Sequence, residues 1–337
     1  MAATMRDVAR LAGVSIKTVS NVVNGYRHVT AATRARVLTA IDELGYQVNV
    51  SARNLRTGRT GVIALAVPEL SVPYFAELAD AVIAAAAVHG LTVLIELHGA
   101  DRAREIEAVG GARRRTTDGL IFSPVALGAG DEALVETELP MVLLGERVFH
   151  DGVDHVTMQN VEAARAATEH LLDRGRRRIA AIGVHPGEEV GSAGLRLVGY
   201  RQALAAAGIP TDDALLGVAD PWHRAAGARA MAALLDAGAL PDAVFGFNDA
   251  LALGAMHELQ VRGLRVPQDV AVIGFDDIDE GVYANPSLST VDPGREQIAR
   301  TAVQLLVDQL DGTRRAARRV LADYRVVARG STAPSTT

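Results

Sequence analysis

The chain has 337 residues, no cysteine, 49% hydrophobic and 22% charged residues, and a formal net charge of −6. These values fit a soluble globular protein of two or three domains. They exclude a disulfide framework, a thiolate metal site, a cysteine nucleophile and a collagen-like or wholly disordered chain. No apolar run reaches the ~18 residues that span a bilayer. MAATMRDVARLAG has no long apolar stretch behind a basic tip, so a cytoplasmic protein without membrane attachment is expected.

Charge is divided unevenly. Residues 1–60 carry nine basic residues against three acidic ones, a net +6, which leaves −12 on the remainder. A basic head on an acidic body predicts that the head meets a polyanion and the body does not, a chance fluctuation being the alternative. Lys17 is the only lysine among 34 basic residues, which together with the abundant alanine reads as genome composition.

The first 45 residues predict three short helices. Thr4 and Asp7 have capping-box spacing ahead of an apolar face of Val8, Leu11 and Ala12, and Gly13 ends that helix. Ser15 is a natural N-cap for a second helix with Val19, Val22 and Val23 inward, stopped by Asn24-Gly25. Thr30 opens a third, with Val37, Leu38, Ile41 and Leu44 inward and Gly45 as its stop. Helix, glycine turn, helix is a helix-turn-helix pattern, and equally that of an ordinary small bundle. Residues 46–60 are polar and basic, a linker in which Val50 and Leu55 have no evident core.

Beyond Gly61 apolar runs alternate with helical patterns. Strands are predicted at 62–67, 91–97, 119–125, 141–145, 178–184, 243–247 and 270–276, and helices at 74–89, 101–115, 161–174, 192–207, 223–237 and 249–262. Another helix is expected at 291–310, starting at Pro293, then a last strand at 323–329 and a low-complexity, disordered tail at 333–337. The alternation implies parallel sheets covered on both faces, in two α/β subdomains that split near 159–163 and enclose a cleft. Ligands in such sheets sit beyond the carboxyl ends of the strands.

In a helix-turn-helix the second helix enters the major groove. With Val19, Val22 and Val23 packed inward, Ile16, Lys17, Thr18, Ser20 and Asn21 remain for the groove. Lysine can donate to guanine, asparagine can pair with adenine, and isoleucine can touch a thymine methyl.

The stretch DVARLAGVSIKTVSNVVNG (7–25) resembles the DNA-binding head of the lactose repressor/galactose repressor (LacI/GalR) family. The resemblance continues through TAATRARVLTAIDELGY, VNVSARNLRTGRTGVIALAVP, FNDALALGAMHELQVRGLRVPQDVAVIGFDD, PSLSTVDP and ARGST, nearly the whole chain. It implies an all-α helix-turn-helix head at 1–46 and a hinge helix at 47–60. It also implies a bilobed, periplasmic-binding-protein-like α/β body at 61–332 with two parallel-sheet subdomains, one of about 61–158 and 292–321, the other of about 161–289 and 323–330.

By the resemblance, Ile16, Lys17, Asn21 and His28 fall at base-reading positions, and Ser15, Thr18, Asn24, Thr30 and Thr33 at phosphate-holding ones. Ala52 and Leu55 match hinge residues that enter the minor groove, Leu55 as an apolar wedge that kinks the duplex, with contact to the body as its alternative. Tyr74, Phe75, Arg196, Trp222, Asn248 and Asp276 fall at effector-pocket positions. Their chemistry suits a sugar: Arg and Asp fork onto vicinal hydroxyls while an aromatic face covers a pyranose. Trp222 in a core and Asp276 as a helix cap are the structural alternatives. In one departure, family members often carry Asp two residues into the crossover after position 157. This chain has Gln159 before Asn160, so no carboxylate is expected from there.

Other motifs point nowhere catalytic. RRR at 113–115 and RGRRR at 174–178 are expected to be solvated helix ends. Adjacent Glu188 and Glu189 seldom face one substrate, the nine histidines do not cluster at metal spacing, and no phosphate loop, HExxH or GxSxG occurs. The expectation is a transcriptional regulator, as a rule a repressor. It acts as a homodimer on a pseudo-palindromic double-stranded operator under a mono- or oligosaccharide effector, and it is neither an enzyme nor in need of a cofactor. The competing reading is a cytoplasmic solute-binding protein.

Overall fold

Side-chain caps and left-handed glycines delimit the first helices. Thr4 and Asp7 form a reciprocal capping box at α1 (Met5–Ala12), closed by Gly13 at φ 63. The Ser15 hydroxyl accepts from Thr18 N at 3.1 Å at the start of α2 (Ile16–Val23). Thr30 accepts from Thr33 N ahead of α3 (Ala31–Leu44), which Gly45 ends at φ 57. The computed structural model describes residues 3–23, 26, 28–46, 59–111, 116–313 and 316–333, and divides into units 1–60 and 61–337.

The first unit packs Val8, Ala9, Ala12, Val19, Val22, Val37, Ala40 and Tyr46 into one core, with Val23, Ile41 and Leu44 against it. Leu11 and Leu38, expected inside, are 50% and 48% exposed. At about 100° per residue, the buried stripe on α3 runs Val37, Ala40, Ile41, Leu44, and Leu38 turns off it. On α1 the buried stripe runs Val8, Ala9, Ala12, and Leu11 falls on its outer edge. Asn24 and the hinge residues Ala52 and Leu55 lie outside the described residues.

The second unit begins with β1 (Val62–Val67), α4 (Pro73–Val88), β2 (Thr92–Leu97), α5 (Arg102–Gly110), β3 (Gly119–Phe122), β4 (Met141–Leu144) and β5 (Asp154–Met158). It continues with α6 (Asn160–Leu172), β6 (Ile179–Val184), α7 (Ser192–Ala206), β7 (Leu216–Val218), α8 (Arg224–Asp236), β8 (Ala243–Gly246) and α9 (Asp249–Val261). It ends with β9 (Ala271–Ile273), α10 (Asp279–Tyr283), β10 (Thr290–Asp292), α11 (Arg295–Leu310), β11 (Arg319–Ala322) and β12 (Arg325–Val327). A six-stranded parallel sheet runs β11-β5-β4-β3-β1-β2, and a four-stranded parallel sheet runs β7-β6-β8-β9.

Both sheets are covered on two faces, so their strands read as apolar runs rather than alternations. Ile63, Leu65 and Val67 meet α4 and α11, while Ala64 and Ala66 meet Ala108 and Val109 of α5 on the other face. The chain passes between the lobes at β5–α6, β10–α11 and β11–β12. Met158 packs against the cores of both.

Several elements differ from the sequence reading. The segment 291–310 is not helical from its start. Thr290–Asp292 is a strand paired antiparallel with Arg325–Val327, and the helix begins at Arg295. The expected strand 323–329 shrinks to Arg325–Val327, and an unanticipated strand, Arg319–Ala322, precedes it in the other sheet, because the chain changes lobe at Asp323–Tyr324. The strand expected at 119–125 stops at Phe122 and leaves Ser123–Val125 to line a cleft. β5 and β7 were not anticipated. The first is polar (DHVTM) and the second only three residues long. Residues 112–115, which hold RRR, lie outside the described residues, as does all of the tail but Ala333. RGRRR at 174–178 is mostly exposed, yet it bonds neighbouring backbone. Arg174 donates to Thr332 O at 2.8 Å, Arg176 to Pro267 O at 2.5 Å, Arg177 to Leu172 O at 2.8 Å and Arg178 to Leu240 O at 3.1 Å.

Candidate functional site

In the first unit Ile16 and Lys17 stand on the first turn of α2, Ile16 45% exposed and Lys17 exposed, while Asn21 follows Lys17 one turn on, partly exposed. The hydroxyls of Ser15 and Thr18 lie 2.9 Å apart, as do those of Thr30 and Thr33, so each pair closes a helix start with its oxygen atoms at the surface. His28 is exposed with its ring 5.8 Å from Tyr26. Tyr26 is itself 56% exposed, and Arg34 donates to its carbonyl at 2.9 Å. Sequence reading had not singled Tyr26 out, although an aromatic residue in the loop before a capped helix was a usable signal.

In the second unit a cleft of about 410 Å³ opens where the strands of both sheets end. Tyr74, Phe75, Arg196, Trp222, Asn248 and Asp276 all line it. Tyr74 and Phe75 meet edge to face at 5.3 Å at the start of α4, and burial pushes the Tyr74 hydroxyl pKa up. The others come from the second lobe.

Arg196 is 3% exposed on α7. Its Nε donates to Asn160 Oδ1 at 2.8 Å, its Nη1 to Phe247 O, and its guanidinium lies 3.6 Å above the Phe275 ring. Burial lowers its pKa against the pull of Asp276 and Glu146. The guanidinium is thus held by the fold on one side and turned to the cleft on the other. Trp222 is half-buried, donates from Nε1 to Gly183 O at 3.2 Å, and has Arg196 over its ring at 5.4 Å. The fold engages the Asn248 side chain at both ends: Oδ1 caps α9 by accepting from Leu251 N at 2.8 Å, and Nδ2 donates to Trp222 O at 3.2 Å.

Asp276 is 5% exposed and follows β9 at φ 121, a conformation L residues rarely adopt. Its N–H donates to Val291 O at 2.8 Å and its carbonyl accepts from Arg295 Nη1 at 2.9 Å, which holds the strained residue in place. Burial pushes its carboxyl up to about 7 against the pull of Arg196 and Arg295. A folded-state pKa above the ordinary 3.8 means that the native protein keeps a proton the unfolded chain gives up, so stability is lost as pH rises towards about 7. Asp276→Asn carries no such penalty. Relative to the parent it is expected to gain on the order of 1–2 kcal/mol between pH 5 and pH 8.5, read from melting curves at each pH. A constant difference across that range would show that the carboxyl does not titrate there.

Gln159 does not face the cleft. Its Nε2 donates to Ala322 O at 2.9 Å on the crossover, and Asn160 takes the Arg196 Nε instead.

The sequence reading missed the cleft's first-lobe rim. Glu146 and Arg147 follow β4, Glu146 8% exposed and bonded to the Ser192 hydroxyl of the other lobe. Arg147 meets Glu188 at 2.8 Å, and His185 Nδ1 reaches the same Glu188 oxygen at 3.0 Å. That bond raises the His185 pKa. Burial pushes the Glu188 carboxyl up, but the bonds from His185 and Arg147 outweigh it and hold it low. The signal was available: GER follows the run MVLL, and His185 follows RIAAIGV, each beyond a strand's carboxyl end. Among the described residues no group of three His, Asp or Glu side chains is placed to hold a metal ion, and no helix is long and apolar enough to cross a membrane.

Two family models match. Residues 4–49 match bacterial regulatory proteins of the lacI family, and residues 168–332 match the periplasmic binding protein-like domain. The HTH-type transcriptional regulator CelR of Thermobifida fusca is 38% identical over 92% of this chain and 92% of its own. A structure of a transcriptional regulator CelR–cellobiose complex is 32% identical with a TM-score of 0.72, covering 98% of this chain and 99% of that one. A Lac repressor dimer bound to operator and the anti-inducer ONPF is 28% identical with a TM-score of 0.82, at 98% and 99% coverage.

Proposed function

The chain belongs to the LacI family of bacterial regulatory proteins, and on that premise we propose that it is a sugar-controlled repressor acting as a homodimer on a pseudo-palindromic operator. Its relatives are transcriptional regulators rather than enzymes. The observation that carries the effector reading is the convergence in one cleft of an indole face, a fold-anchored guanidinium and a buried carboxyl without a side-chain hydrogen bond, with aromatic residues of the opposite lobe across from them. An aromatic face with hydroxyl-directed charged groups is sugar chemistry. The cellobiose bound by the CelR structure supports the same class.

On this reading Tyr74, Phe75, Arg196, Trp222 and Asp276 touch the effector and Asn248 positions Trp222. Ligand contacts to both lobes favour one closure angle, which is what a population shift requires. In the head, Ile16, Lys17, Asn21 and His28 read bases, while Ser15, Thr18, Asn24, Thr30 and Thr33 hold phosphates. Ala52 and Leu55 serve the minor groove. Exposed apolar side chains on α4 and β2 (Val88 at 83%, Ile83 at 41%, Leu97 at 51%, Leu94 at 40%) support a dimer interface supplied by the body.

One experiment tests both halves. Operator binding is followed by anisotropy while Trp222, the sole tryptophan, reports sugar through its fluorescence. The sugar that changes Trp222 emission is expected to change operator affinity at the same concentrations, because the two bindings are linked. Lys17→Ala is expected to relax discrimination at one position per half-site by about 1–3 kcal/mol. Unchanged discrimination would remove Lys17 from the groove, and a sugar that quenches Trp222 without moving operator affinity would make the body a mere binding module.

A further inference from the structure

The Arg147–Glu188 pair draws one partner from each lobe, Arg147 after β4 and Glu188 from the loop between β6 and α7. The backbone is shaped around it. Gly191 sits at φ 116, and a Cβ there would lie 2.6 Å from Glu188 Oε1 and 2.9 Å from the Arg147 guanidinium carbon. A Cβ at Gly194 would lie 2.3 Å from Glu188 O. A larger residue at Gly191 would displace the paired side chains, and one at Gly194 would displace the backbone of Glu188 that carries one of them.

Arg147, His185, Glu188 and Asp220 line the cleft and also a second, open depression of about 620 Å³. The pair is therefore a partition. Inside it lie Trp222, Arg196 and Asp276; outside it Glu189 offers a carboxylate beside the backbone of Gly128 and Gly187, and Asp220 borders both spaces. The cations facing this space are already engaged. Arg147 is held by Glu188, His185 bonds Glu188 and Ala219 O, and Arg196 bonds Asn160 and Phe247. Carboxylates outnumber them, which favours hydroxyl donors and disfavours an anionic group. The Arg147 and Glu188 side chains are 29% and 14% exposed, and an ion pair within reach of water is weak enough for ligand hydroxyls to replace.

We propose that the effector is an uncharged linear sugar of two or more rings, with one ring on Trp222 inside the partition and the next in the outer depression, and that Arg147 and Glu188 select for this length. The proposal rests on the sugar reading of the cleft.

The test uses the full chain and Trp222 fluorescence with glucose, mannose and xylose, their 1,4-linked di- and trisaccharides, and glucose 6-phosphate. At least one di- or trisaccharide is expected to bind about tenfold or more tightly than its own monosaccharide, equivalent to one added charged hydrogen bond. Glucose 6-phosphate is expected not to bind. Arg147→Ala and Glu188→Gln are each expected to cut the oligosaccharide-to-monosaccharide ratio at least about fivefold, with melting curves checking that each variant is folded. Two variants keep the test open if one of them does not fold. A monosaccharide that binds as tightly as its disaccharide, an equal loss for both in the variants, or a preference for the phosphorylated sugar would each overturn the two-chamber proposal and leave a sugar-binding cleft standing. Silence across the whole panel would overturn the sugar reading, and the proposal with it.

Discussion

Arg196→Ala is expected to abolish the effector response and to lower stability by about 3–5 kcal/mol, the range for removing one member of a buried charged network. The reason lies in how completely the fold uses this side chain. Truncation strips the donors from Asn160 Oδ1 and Phe247 O, and a buried acceptor left alone costs about 1–3 kcal/mol. Asn160 has no reserve, since its Nδ2 is already buried without a hydrogen bond. The Phe275 ring loses the guanidinium that lies 3.6 Å away, and Asp276 loses its strongest positive influence, which drives its carboxyl further towards the protonated form. Arg196→Lys keeps the charge but cannot serve Asn160, Phe247 and the Phe275 face together. It is expected to recover part of the stability and little of the response. Denaturant unfolding and Trp222 titration separate the two effects. An Arg196→Ala variant with the parent's midpoint would show that the network does not hold the lobe.

Gly254→Ala carries the second large effect, about 3 kcal/mol of destabilisation, and its sign makes it decisive. In an exposed helix interior the same change stabilises by about 1 kcal/mol. Here a Cβ would lie 1.9 Å from Arg224 O and 2.8 Å from Ala228 N, because the α8 and α9 backbones touch. Gly227 makes the reciprocal approach from α8, where a Cβ would lie 2.2 Å from Leu251 O. Neither backbone can yield as a flexible side chain would, so the helices must separate. Asn248 caps α9 and Trp222 stands two residues before α8, so separation also moves the tryptophan and its anchor. The expected readouts are a lower unfolding midpoint and weaker sugar-dependent fluorescence. A more stable variant would mean that the two helices do not touch through these glycines.

Hydropathy read the double-covered strands correctly and failed where polar groups are buried in pairs. VIALAV and RIAAIGV are strands because both faces meet helices. DHVTM was missed because Asp154 and His155 look solvent-seeking. In the fold Asp154 accepts from Arg318 N at 2.7 Å and Gln309 Nε2 at 2.8 Å, and His155 bonds Gly145 O at 2.5 Å. A buried carboxylate that is fully bonded, as in Asp154, can line a strand that no apolar period reveals. Leu38 erred the other way: an apolar residue next to a buried stripe costs little when exposed.

Local chemistry along the chain was enough for the capped helices of the head and the alternation that demands parallel sheets, while the family and the six residues that line the cleft came from the resemblance of its motifs. Each of these depends on spacings of a few residues, or on motifs whose residue types act where they stand. Tertiary structure alone decided which polar groups meet. Arg147 and Glu188 lie 41 residues apart, Glu146 and Ser192 46 apart, and Gln159 and Ala322 163 apart. The first two pairings arise only when the two lobes close on each other, and the third when β5 and β11 meet in one sheet. A contact made across a cleft depends on the angle at which two separately folded cores come to rest, and no local period in the chain encodes that angle.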